Sequence, residues 1–414
     1  MKKKTITWIF IGFAVLTGSQ IIAQGVDISG FARNYTGFLM NDATEFSIIQ
    51  NTFNLNFEQR TDKIGFKVNP VLYHYFDRDI DFRLREAYLD AYFPKLDIRI
   101  GQQQIIYGKA EGVFITDIVS PKDLSEFLLP DFDEIRMGVT AVKLNYFFGM
   151  NNLEAVWVPV FTPTRFAEPG SIWAPKLFVP PLPLLGYSSK EIKPSVENSE
   201  VFLRFSRMTS KADFELVAGY HWLDDPALHM TGVIDQTTMK PIGLDAKAEY
   251  HRMSMAGGSL STTLGGFVIR TEAAYNHGRY FQTSDPLATD GTAKKDYLHY
   301  MIGLDYTLKG VKLSAQFIQE FIADYEEGIN QEEFENTMTF LAAKDFFREK
   351  VWLELFAYAG LNKGDALIRP KISYAFADGF DLQMGANLFT GDREGRFGQY
   401  KDNSMIYWKI KYSF

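Results

Sequence analysis

Between residues 81 and 103 the chain sets fixed charges of both signs along one extended stretch: Arg83, Arg85, Glu86, Asp90, Asp97 and Arg99, closed by Gln103. Guanidinium and carboxylate groups so spaced can line an aqueous passage and steer charged solutes. They can also pair across strands and brace a wall. Arg136 and Arg204 are expected on the same wall. The mixed signs leave ion preference open. Arg83 and Arg85 share a face, whereas Ala87, Leu89 and Ala91 continue the apolar face only if the register shifts by one residue. A bulge at Arg85-Glu86 is therefore expected.

The next interval, 108–133, carries Lys109, Glu111, Asp117 and Asp123 among apolar residues. Ser120 as N-cap, Pro121 at the first helical position and Asp123 in the first turn predict a short helix through Phe127. Left outside, Ile118, Leu124, Phe127 and Leu128 would face water. An inward fold that narrows a pore is the expectation, with these four charged residues on the constriction.

Other chemistry is poorly supported. No G-x-S-x-G, H-E-x-x-H or phosphate-loop pattern occurs, so no catalytic residue is nominated. His221 near Asp224 and Asp225, and His74 beside Asp77 and Asp79, have metal-ligand types, but loops collect such residues as a solvated face. No metal and no cofactor is assigned.

The elements that must position these groups alternate with a period of two. In Ser404 to Phe414, Ile406, Trp408, Ile410, Tyr412 and Phe414 face one way while Tyr407, Lys409, Lys411 and Ser413 face the other. An apolar face rich in aromatics and a charged opposite face suit lipid outside and water inside. Eighteen such segments are expected, at 26–39, 48–60, 63–76, 81–92, 95–107, 134–147, 152–161, 199–209, 212–223, 242–252, 258–274, 295–308, 311–324, 335–345, 349–360, 366–377, 380–390 and 402–414, with sixteen as the alternative count. Leu244, Ala246, Ala248 and Tyr250 alternate with Asp245, Lys247, Glu249 and His251. Pro370 removes a ladder hydrogen bond, so a bulge or strand end is expected there.

Connections alternate between tight turns, such as Pro94-Lys95, Lys309-Gly310 and Asp378-Gly379, and long intervals at 108–133, 162–198, 224–241, 275–294, 325–334 and 391–401. Short periplasmic turns and long extracellular loops would produce that pattern. The fold class is all-β: a transmembrane antiparallel outer-membrane barrel with both ends on the short-turn side. The 162–198 loop interleaves Pro163, Pro169, Pro175, Pro180, Pro181, Pro183 and Pro194 with Trp173, Phe178 and three leucines. It is expected to pack over the pore mouth or to dock a partner.

Lys2, Lys3 and Lys4 precede an apolar run from Ile6 to Leu16, which reads as a signal peptide over 1–23, followed by one barrel domain over 24–414. Its removal takes the net charge from −8 to −11, which argues against a nucleic-acid partner. No stretch of roughly 20 uninterrupted apolar residues follows, so helical membrane spans are not expected. Cysteine is absent, and a closed sheet would satisfy the backbone without disulfides.

Arg99, Gly101, Gln102 and Gln103, then Tyr107-Gly108, then Asp117, Pro121, Asp123 and Leu124 form a strand, an aromatic-Gly turn and an acidic segment. This stretch, about a tenth of the chain, resembles a porin-type outer-membrane family of largely unknown function, distantly similar to phosphate-selective and alginate-export barrels. Tyr107 stands where relatives often carry Trp. The resemblance implies an integral outer-membrane channel and fixes no solute. The expected function is passive diffusion of small hydrophilic solutes, charged ones included; the alternative is a structural or partner-docking barrel plugged by its own loops. Expected partners are those solutes and outer-membrane lipid, with a homo-oligomer or a surface lipoprotein left open. An outer-membrane hydrolase has no residue to support it.

Overall fold

The structure, a computed structural model, describes residues 25–42, 44–175, 182–285 and 287–414. The expected signal peptide lies outside these residues, as do residues 176–181 of the Pro-rich loop.

Alternating apolar and polar side chains form eighteen barrel strands, because an extended backbone sends successive side chains to opposite faces. In chain order they are β1 Asp27–Leu39, β2 Phe46–Arg60, β3 Ile64–Tyr75, β4 Asp81–Phe93, β5 Leu96–Gln103, β6 Val139–Phe148, β7 Asn151–Val158, β8 Glu200–Met208, β9 Ala212–Trp222, β10 Arg252–Leu264, β11 Phe267–Gln282, β12 Thr292–Leu308, β13 Val311–Ile322, β14 Phe334–Phe346, β15 Val351–Gly360, β16 Asp365–Ala377, β17 Phe380–Thr390 and β18 Met405–Ser413. Each pairs antiparallel with the next, and β18 pairs with β1, so the sheet closes without an edge. No helix among the described residues is long and apolar enough to cross a membrane.

On β18 the outward residues Ile406 and Ile410 are exposed, as is Phe414 just beyond its end, while Met405, Tyr407 and Lys409 are buried inside. Leu89 on β4 faces out opposite Ile100 on β5, and Asp90 faces in opposite Arg99. One rim carries turns of two to four residues throughout; the other carries the long loops. Lys309 and Gly310 both have positive φ, the geometry of a two-residue hairpin turn.

Several expectations change in detail. Residues 241–249 belong to a separate three-stranded sheet with 184–189 and 227–234, outside the barrel. Their alternation is real, but it serves a loop sheet. The expected segment 258–274 joins parts of β10 and β11, which the Gly265-Gly266 turn separates. The total of eighteen survives because one strand was counted wrongly and one missed. Pro370 produces neither bulge nor end: β16 runs through it, opposite Leu355, and keeps register with β17 on both sides of it. The helix expected at 120–127 does not form. Phe127 has φ 54°, and Asp123–Leu124 pair with Arg165–Phe166 instead. The short helix lies at Phe132–Ile135.

Candidate functional site in the barrel lumen

The segment 104–138 leaves β5 and folds into the barrel. At its root Gln103 is completely buried and donates to Ala141 O at 3.1 Å. Ser120 Oγ accepts from Ile105 N at 2.8 Å and donates to Ile105 O at 3.0 Å, which clamps the two strands of the loop together.

At the far side of the lumen, side chains of the wall satisfy the loop backbone. Glu272 on β11 accepts from the backbone N–H of Lys109 at 2.6 Å, Ala110 at 2.9 Å and Thr116 at 2.7 Å, and from the Thr116 hydroxyl at 2.7 Å. Gly108 turns beside it with φ 83°, where any Cβ would collide with the Glu272 carboxylate. Gln316 on β13 accepts from Glu111 N at 3.0 Å and donates to Glu111 O at 2.8 Å. Tyr358 on β15 donates to Gly112 O at 2.9 Å. On the return, Arg369 of β16 donates to Leu128 O and Leu129 O at 2.9 and 2.7 Å. Buried N–H and C=O groups are costly unless paired, so these contacts let irregular backbone cross the interior.

Apolar contacts accompany the polar ones. Ile105, Tyr107, Ile115 and Val119 of the loop pack with Val156, Phe202, Met255, Met301 and Ile318 of the wall. A second cluster joins Leu129 and Phe127 to Tyr358, Phe389, Phe397 and Tyr400.

Charge pairs fix the loop ends. Arg33 on β1 donates to both oxygens of Glu134 at 2.8 and 3.0 Å. Burial pushes Glu134 up, but Arg33 outweighs it and holds the carboxyl below its usual range. The charge of Lys409 likewise holds the exposed Asp131 below its usual range. In contrast, burial raises Asp117 despite Arg136, and raises Glu126, which accepts from Gln50 at 3.3 Å and Tyr75 at 3.2 Å. Beside Arg33, Gln50, Glu126 and Lys409 the remaining cavity is about 30 Å³, room for about one water molecule.

An adjoining space, which shares Tyr73, Arg83 and Glu134 with it, is roomier. A cavity of about 290 Å³ lies between the loop and the β3–β5 wall, lined by Tyr73, Arg83, Arg85, Glu134, Arg136 and Arg165, with Asp81 at its edge. Arg83 pairs with Asp81 and Asp123, and Arg165 with the same two acids at 3.3 and 3.6 Å. Arg136 pairs with Asp117 at 2.7 Å. Arg85 is the inserted residue between the pairs Asn69–Glu86 and Pro70–Leu84, which places the bulge at the expected position. Its guanidinium contacts Tyr73 OH at 3.3 Å.

The remaining sequence candidates fall elsewhere. Glu86 pairs with Lys67 at 2.7 Å, and Asp90 binds Arg99 through both oxygens at 2.7 and 2.9 Å. Asp97 sits half-buried by the β4–β5 turn, opposite Tyr92. Arg204 donates to Glu154 at 3.1 Å and lies over the Tyr107 ring. Lys109 and Glu111 both join Arg270: the Lys109 carbonyl accepts at 2.8 Å and the Glu111 carboxylate at 3.1 Å. Gln103, being fully buried, holds the loop root and faces no passage. His221 is buried with Nδ1 at 2.8 Å from Trp222 O, and neither it nor His74 joins a cluster of metal-ligand type among the described residues. Sequence reasoning missed Glu272, Gln316, Tyr358, Arg369 and Arg33, all inward positions whose only signal was a polar or aromatic group at the correct parity.

The family described as "Protein of unknown function (DUF1302)" matches residues 43–352. No curated protein sequence matches. Among solved structures, Pseudomonas aeruginosa OccK8 (OprE) is similar with a TM-score of 0.56 at 10% identity, over 94% of this chain and 98% of that one. P. aeruginosa OccK2 (OpdF), solved in complex with glucuronate, gives 0.56 at 10% identity, over 94% and 97%. P. aeruginosa OccK5 (OpdH) gives 0.54 at 11%, over 94% and 98%. At such identities the likeness is one of fold, a closed antiparallel barrel of the porin type, and it singles out no phosphate-selective or alginate-export relative.

Proposed function

The chain belongs to the DUF1302 family, and from that membership and the loop-narrowed barrel we propose that it is an integral outer-membrane channel that passes small hydrophilic anions by diffusion. One observation carries the reading. The free space beside the loop is lined by four arginines, Arg83, Arg85, Arg136 and Arg165, against the acids Asp81 and Glu134. Planar guanidinium groups match carboxylates with paired N–H donors. Small carboxylate-bearing solutes are the class that fits, and the glucuronate held by the fold neighbour OccK2 is of that class. In this reading the long-loop rim is extracellular, the outward apolar band meets lipid, and the inner loop sets the bore.

Planar-bilayer recordings across a salt gradient test it. The proposal expects discrete steps, a reversal potential of anion-selective sign, and a shift toward cations in Arg85→Glu. Absence of steps at any voltage, or a reversal potential indifferent to Arg85→Glu, would sink it. The two apolar clusters that pack the loop against the wall favour a second reading, a barrel plugged at rest. That reading expects no steps until the loop is released, for example in Glu272→Ala.

A further inference from the structure

Outside the barrel, at the long-loop rim, the sheet of Leu184–Ser189, Ala227–Ile234 and Pro241–Glu249 carries a cluster that the channel does not use. Strand register places His229 opposite Lys247 and Ala227 opposite Glu249, so His229 and Glu249 are diagonal neighbours on one face. His251, two residues beyond Glu249 and just before β10 begins at Arg252, returns to the same spot. Nε2 of His229 and Nε2 of His251 lie 2.7 Å apart. Ligand atoms of His229, Glu249 and His251 all fall within 4.8 Å of one another.

The groups behind these ligands are held in place as well. His229 Nδ1 is 2.7 Å from Asp290 Oδ2. An ionised carboxylate only accepts, so His229 carries its proton on Nδ1 and turns the lone pair of Nε2 toward His251. Asp290 is itself fixed: Oδ1 accepts from Thr292 N at 3.1 Å and the Thr292 hydroxyl at 3.0 Å, and its carbonyl accepts from Met230 N at 2.7 Å. The His251 ring stacks on Tyr280 of β11 with centroids 3.8 Å apart. A carboxylate holding one ring nitrogen while the other faces a second imidazole and a glutamate is the arrangement that presents histidine to a metal ion.

We propose that His229 Nε2, His251 Nε2 and the Glu249 carboxylate bind a zinc-class divalent cation, with Asp290 as a positioning residue. Two imidazoles and one carboxylate are a borderline-soft donor set suited to Zn²⁺, whereas Ca²⁺ and Mg²⁺ take oxygen ligands. At 2.7 Å one Nε2 must donate a proton to the other, and a metal ion takes the place of that proton. Zn–N distances of about 2.0–2.1 Å in tetrahedral geometry need the nitrogens roughly 3.3 Å apart, a small outward swing of two half-buried rings. Glu249 exchanges its exposed partner Lys247 for the ion. His229 and Glu249 lie on the loop sheet and His251 at the foot of β10, so the bound ion ties that sheet to the barrel rim.

The test uses the full-length protein in detergent, stripped with chelator and titrated calorimetrically with Zn²⁺ alone, then with Co²⁺ for its absorption spectrum. One site per chain is expected, with the spectrum of a four-coordinate cobalt ion. His229→Ala and His251→Ala should each abolish it, and Asp290→Asn should weaken it roughly 10–100-fold. His277→Ala, at an exposed histidine outside the cluster, should leave it intact. Circular dichroism and elution volume check that each variant is folded. No saturable Zn²⁺ binding, binding retained in His229→Ala or His251→Ala, or equal competition by Ca²⁺ would overturn the assignment.

Discussion

Thr116 binds the Glu272 carboxylate twice, through its backbone N–H and its hydroxyl, both at 2.7 Å. Lys109 N and Ala110 N take the other oxygen. Glu272→Ala would strand the buried N–H of Thr116, at a cost of about 1–3 kcal/mol, and the half-buried N–H groups of Lys109 and Ala110 at less. Larger conductance steps and new tryptic cleavage after Lys109 are expected in the folded barrel. Unchanged steps and an intact Lys109 bond would show that the loop does not depend on this anchor.

Gly108→Ala tests the same contact from the loop side. Positive φ and the adjacent carboxylate both exclude a Cβ. The substitution should reproduce the Glu272→Ala phenotype, while Gly310→Ala, at an open turn with the same sign of φ, should change only stability, by about 1 kcal/mol or more. Single-channel recording and thermal melting of both variants separate the two effects.

Arg33 holds Glu134 in a buried bidentate pair. Removing one partner of such a pair costs about 3–5 kcal/mol because the other charge stays buried. Arg33→Ala should therefore release the 132–135 helix more than the double variant Arg33→Ala/Glu134→Gln does. Hydrogen exchange at Phe132–Ile135 reads the difference.

The loop carboxylates also fix a pH dependence. Asp131 and Glu134 are held below the usual carboxylate range, so their contribution is present above the unfolded value, about 4, and is lost as pH falls through the folded values. Asp117 and Glu126 are raised, so they oppose the fold at neutral pH and cease to as they protonate. The loop should be most firmly held near pH 4 and loosen on both sides. Glu126→Gln should make the neutral limb shallower, with Asp117 supplying what remains of it, and leave the acid limb unchanged. Monotonic protection of the loop amides across pH 3 to 7, read by mass spectrometry with exchange times corrected for pH, would contradict this.

Ile302 on β12 is an outward residue pairing with Phe317 in mid-strand. Ile302→Arg should destabilise the inserted barrel by about 2–4 kcal/mol, against little change for a polar residue at an inward position. Urea titration of the protein refolded into vesicles measures it.

The period of two was legible along nearly the whole chain because every wall strand presents two unlike faces, as β18 does with Ile410 outside and Lys409 inside. The bulge at Arg85 was legible for the same reason: only a parity shift reconciles Arg83 with Leu89. The loop sheet was not distinguishable from wall, since Ala246 and Ala248 pack one face of a strand whether that face meets lipid or another loop. The anchors were hidden because Glu272 finds Thr116 through folding of residues far apart in sequence, and no local pattern records that meeting. The helix at 120–127 failed because its cap chemistry was satisfied differently: Asp123 binds Arg83 and Arg165, and tertiary charge pairing overrode a weak local preference.

The seam between β1 and β18 sets Phe31 against Ser413 and Leu39 against Met405. Until those opposite ends of the polypeptide meet, both flanks of the sheet present unpaired amides and carbonyls, and every strand-rich precursor is sticky. Assembly must therefore withhold its final zip until β18 has been made, and a version lacking the closing strand would be a template for self-association rather than a narrower pipe.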